Sequence, residues 1–148
     1  MLSSVRTLLA VSAMLAFAGL TGCAGMQAAG GPDKVIYHLN QGNEQSSDAL
    51  RNINNHLTID PTAKIIVVTH AKGVDFLMEG AEDKNKNPYI IPVQALVQKG
   101  VEFRVCEITL KSRNLKKEQF ISEVKYVPSG VREVARLQQY EGYSYVKP

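Results

Sequence analysis

A chain of 148 residues that is 45% hydrophobic supports one domain with a real core, and it excludes a disordered protein or one that needs a disulfide framework to fold. Its 17 basic and 14 acidic side chains leave a net charge of +3, spread without a basic block, which removes the electrostatic basis for nucleic-acid binding.

Residues 1–23 read as an export signal: Arg6 is the only charge before Cys23, Leu8 to Ala18 is an apolar run, and small residues follow. The run falls short of the ~20 apolar residues that a membrane-spanning helix needs. Leu20-Thr21-Gly22-Cys23 has the form of a bacterial lipobox, whose cysteine is lipidated and becomes the new amino terminus. The alternative is an ordinary cleaved signal with Ala16-Phe17-Ala18 as its small-x-small site. Ala24 after the cysteine points to outer-membrane sorting, so the expected location is a periplasm-facing, membrane-anchored lipoprotein, or a soluble periplasmic protein if Cys23 is removed. Residues 24–33 are small and Gly-rich, a flexible tether. The domain is expected over 34–148.

Lys34 to Asn40 (KVIYHLN) reads as a first strand. Ser46 or Ser47 is placed to cap a helix carrying Leu50, Ile53 and Leu57, with Asp48 in its positive first turn and Asp60-Pro61 as its stop. Lys64 to His70 (KIIVVTH) is nearly continuous apolar and β-branched, the pattern of a central strand covered on both faces. A short helical turn between Gly73 and Gly80 presents Val74, Leu77 and Met78. Glu82 to Asn87 is a solvated loop, and Pro92 sits in the first turn of a helix with Val93, Leu96 and Val97 that Gly100 ends.

Val101, Phe103 and Val105 alternate with Glu102 and Arg104, so a third strand runs into Cys106. Phe120 and Ile121 point inward from a short amphipathic segment, and Val124 to Val127 is a brief strand stopped by Pro128. Ser129 caps a last helix whose inward residues are expected to be Val131, Val134, Ala135 and Leu137. Gly142 releases the chain into a fifth strand over Tyr143 to Lys147. Five strands alternating with helices, with crossovers of about a dozen residues, predict an α/β fold with a parallel sheet.

Cys106 ends its strand where an open α/β sheet collects reactive groups. With Cys23 acylated, it has no intramolecular disulfide partner and is either buried and inert or exposed and reactive. His38 and His70 also fall toward the carboxyl ends of their strands, where an imidazole titrating near neutrality serves as a proton acceptor for a thiol or orients an anion. A satisfied strand-end histidine is the plainer reading of each. Glu107 beside the thiol is expected to disfavour the thiolate. No HxxxH or CxxC pair and no Gly-rich phosphate loop is present, so neither a metal nor a cofactor is expected.

The segments KVIYHLNQG, IIVVTHAKGVDFLM, KGVEFRVCEITLK and VPSGVREVARLQQYEGYSYVKP, in this order, resemble the DsrE/DsrF-like family, in particular its exported single-domain members. The resemblance covers roughly 34–148. It implies a three-layer α/β/α fold with a five-stranded parallel sheet in the order 4-3-2-1-5, and assembly into homo-oligomers, often trimers or hexamers. It also implies, in sulfur-relay members, a persulfide passed along a cysteine in the region of Cys106. Two functions remain open. One is an envelope module that binds a small ligand or partner and assembles into oligomers; the other is a sulfur- or thiol-handling protein carrying a persulfide on Cys106.

Overall fold

The computed structural model describes residues 31–148. The signal segment, Cys23 and most of the tether lie outside the described residues.

Five parallel strands form one sheet: β1 (Lys34–Leu39), β2 (Lys64–Thr69), β3 (Glu102–Cys106), β4 (Lys125–Val127) and β5 (Ser144–Val146), in the order β4-β3-β2-β1-β5. The crossovers carry α1 (Asn43–Ile59), α2 (Ile90–Gln98), α3 (Glu107–Ser112) and α4 (Gly130–Glu141). Strand side chains alternate between two cores, as the pleat requires. Val35, Tyr37, Ile65, Val67, Phe103 and Val105 pack on one face with Ile53, Leu57, Val93, Leu96 and Leu110 of α1, α2 and α3. On the other face Ile36, Ile66 and Val68 meet Val134 and Leu137 of α4.

Two local expectations change. Helix α1 begins at Asn43 behind Gly42 rather than at a serine cap, and Ser46 is fully buried inside it. Gln45 explains the early start: its Oε1 accepts the Asn40 and Gln41 N–H groups at 3.0 and 2.8 Å, ordering the loop ahead of the helix. Val131 is 61% exposed and Ala135 is exposed too, because the inward stripe of α4 runs through Gly130, Glu133, Val134 and Leu137 and so includes a charge. Cys106 ends β3 as expected, and α3 follows at once, a helix that the β-branched Ile108 and Thr109 do not signal. Ser129 caps α4 as expected, its Oγ accepting the Arg132 N–H, and Gly142 closes the helix in the left-handed conformation at φ 71°.

Candidate functional site

The register places the three sequence-selected residues on the same face. Ile36 and His38 of β1, Ile66 and Val68 of β2, and Glu102, Arg104 and Cys106 of β3 all point toward α4, and His70 continues the β2 row two residues past Val68. Their carboxyl ends meet the amino end of α4 at Gly130. A Cβ on Gly130 would lie 3.2 Å from the Cys106 Cβ, 3.3 Å from the His70 Cβ and 3.3 Å from the Thr69 carbonyl oxygen. Only glycine lets the helix amide come this close. His38 and His70 stack with ring centroids 4.9 Å apart.

Cys106 is 4% exposed, yet its surroundings are polar. Burial pushes the thiol up. Hydrogen bonding from the Gly130 N–H, then from the Thr109 N–H and hydroxyl and the Ile108 N–H, more than offsets this and holds the group below the ordinary thiol range. These donors belong to the first turns of α3 and α4, where amides lack helical partners and favour an anion. The division into buried and inert or exposed and reactive therefore does not hold: the sulfur is buried among donors. The expectation that Glu107 opposes the thiolate is likewise corrected. Its carboxylate turns away to Lys117 Nζ at 2.6 Å, with both side chains substantially exposed, and the amides dominate.

The residues around the thiol are tied together. The Thr109 hydroxyl accepts the Ala71 N–H at 2.9 Å, and Arg113, just past the carboxyl end of α3, donates to the Ala71 carbonyl at 2.9 Å and to Asp75 at 2.6 Å. Ala71, directly after His70, adopts φ 50°, a left-handed conformation costing an alanine roughly 1 kcal/mol; the two contacts from α3 hold it there.

His38 Nδ1 shares a 2.8 Å hydrogen bond with the Tyr145 hydroxyl, while the Nε2 atoms of His38 and His70 are buried without a partner. Burial, the neighbouring His70 and Lys147 lower His38 from 6.5 to about 4. Burial and then Lys147 lower His70 as well. Both rings are thus neutral near pH 7, in the state in which an imidazole accepts a proton.

The sequence signals for Cys106, His38 and His70 lead to one place. Thr109, Gly130, Tyr145 and Lys147 were not singled out for it. Gly130 had a visible mark, a glycine directly after a helix cap; Thr109 had none, because its role depends on a helix that the local pattern hides. Two cavities of about 440 and 430 Å³ open elsewhere, beside the amino end of α1, lined by residues such as Asn43, Glu44 and Asp48. Neither includes the thiol or the imidazole pair. Among the described residues no three His, Cys, Asp or Glu side chains are set to hold a metal ion, and no helix is long and apolar enough to cross a membrane.

The profile of the DsrE/DsrF-like family matches residues 34–148. Among solved structures, the chain is similar to MTH1491 from Methanobacterium thermoautotrophicum, described as a protein of unknown function. That similarity has a TM-score of 0.69 and 26% identity, covering 78% of this chain and 99% of that one. It is similar in fold to the ychN protein from E. coli, at a TM-score of 0.65 and 12% identity, again over 78% of this chain and 99% of the other. No curated protein matches significantly.

Proposed function

Because this chain belongs to the DsrE/DsrF-like family, we propose that it is a sulfur-handling protein of the cell envelope that carries a sulfane sulfur on Cys106. The observation that carries this reading is the position of Cys106 directly before α3 with the amino end of α4 packed against it at Gly130, an arrangement whose amides favour a thiolate at the end of β3. The reaction is a transfer without net oxidation. The Cys106 thiolate attacks the outer sulfur of a persulfide donor R–S–SH, the donor S–S bond breaks as the new one forms, R–S⁻ leaves, and the proton stays on the transferred sulfur. The same donors suit the persulfide anion, and neutral His70 beside the site is placed to take up a proton.

The lipobox-like Leu20 to Cys23 supports the envelope location and a lipid anchor. Native protein treated with a low-molecular-weight persulfide should gain the mass of one sulfur atom, localised by peptide mapping to Cys106, and Cys106→Ser should gain none. Protein that takes up no sulfur at Cys106 would end the proposal.

A second reading is favoured by the 4% exposure of Cys106 beside the exposed Ile108 and Val131, at 59% and 61%. On that reading the domain is a binding and assembly module, a homotrimer or homohexamer in which these apolar side chains meet a partner. Cys106→Ser separates the two readings, since it leaves an assembly module's oligomeric state and cellular role intact and abolishes a sulfur carrier's.

A further inference from the structure

Strand β5 is a three-residue edge strand. It pairs with β1 alone, through Val35↔Ser144, Ile36↔Tyr145 and Tyr37↔Val146, and its residues are largely exposed. Continuing that register by one residue sets Lys147 beside His38 on the face toward α4. Tyr143 is anchored on α4, its N–H donating to the Leu137 carbonyl at 3.2 Å and its ring packing beside Ile36 and Leu137. Beyond it the segment is held by the ladder, by partly buried Val146, by the Tyr145–His38 hydrogen bond and by Gln45 Nε2, which donates to the Pro148 carbonyl at 3.2 Å.

We propose that residues 144–148 form a proton-operated strap, closed over His38 and His70 while both rings are neutral and released when the pair takes up protons. The argument rests on what the closed arrangement does to a charged ring. The stacked imidazoles are 4.9 Å apart, both Nε2 atoms are buried without a partner, and Lys147 is the adjoining cation. Among the described residues, the side-chain carboxylates on this face of the sheet are already paired with arginine or lysine and do not offset a second positive charge. Glu133 on α4 is engaged by Arg104 and Arg136, and Glu102 on β3 by Arg104 and Lys125. From β5 the Tyr145 hydroxyl faces His38, and because a hydroxyl both donates and accepts, this hydrogen bond is kept when the ring is protonated and does not oppose protonation. From β3 the neighbouring titratable group is the Cys106 thiol, whose Cβ lies with that of His70 against Gly130.

Opening the strap returns the rings to water and separates Lys147 from them. Protons therefore bind the open form more tightly, and by linkage acid favours opening. The sheet survives, because β1 remains paired with β2 along its whole length and covered on both faces.

With His38 at about 4 when covered and 6.5 when free, the opening equilibrium should rise on the order of a hundredfold between about pH 7 and about pH 4. Amide hydrogen exchange followed by mass spectrometry, corrected for the intrinsic pH dependence of exchange, reads this directly. The expected result is loss of protection in 144–147 as pH falls, with β1, β2 and β3 still protected. His38→Asn should remove most of the rise. Lys147→Gln, at an exposed position that does not threaten folding, should reduce it. A strap whose protection does not change with pH, one that opens only together with β1–β3, or a wild-type profile in Lys147→Gln would overturn the proposal.

Discussion

Gly130 sets how close α4 comes to the thiol. Its missing side chain leaves room for the Cys106 and His70 Cβ atoms, and its amide is the strongest of the donors that lower the thiol. Gly130→Ala must push the helix end away by a few tenths of an ångström. The variant should lose about 1–2 kcal/mol in denaturant unfolding. Its thiolate absorbance titration should move up toward the ordinary thiol range, and an unchanged titration in a destabilised variant would show that the amide does not govern the sulfur. At this scale Cys106, His38 and His70 were legible because each is a rare chemical type at the end of a patterned strand. Glu107 misled because adjacency in sequence is not adjacency of charge: its carboxylate reaches Lys117, ten residues on.

The docking of α4 on β3 depends on an ion network as well as on Val134 and Leu137. Arg104, with a side chain 17% exposed, pairs with Glu102 at 2.8 Å and with Glu133, itself 9% exposed, while Arg136 bonds Glu133 at 2.8 Å and Glu141 at 2.5 Å. Hydrogen bonds from Arg136, then from Arg104, outweigh burial and hold the Glu133 carboxyl below its ordinary value. Such a network need not exceed an apolar contact in net worth, but breaking it strands a charge. Glu133→Ala should therefore cost about 3 kcal/mol and Glu133→Gln less, measured by denaturant unfolding; a loss under about 1 kcal/mol for the alanine variant would mean that Arg104 finds water freely. Helices α2 and α4 were readable from Pro92, Gly100, Ser129 and Gly142. The start of α1 and the whole of α3 were not, because a buried glutamine and a β-branched first turn leave no local helix signal.

Across the whole molecule, hydrophobic periodicity accounts for five strands, while their order was legible only through resemblance to a family. The site itself is a product of the complete fold. Gly130 and Cys106 are far apart along the chain, and the donors around the sulfur converge only when β3, α3 and α4 are all in place. The acidity of the thiol is accordingly a property of the native state. The most direct test is the rate of alkylation of Cys106 as a function of pH, in a Cys23→Ser background, native and in denaturant. The native protein should react with a midpoint below that of the unfolded chain, and reaction only after unfolding would contradict the account.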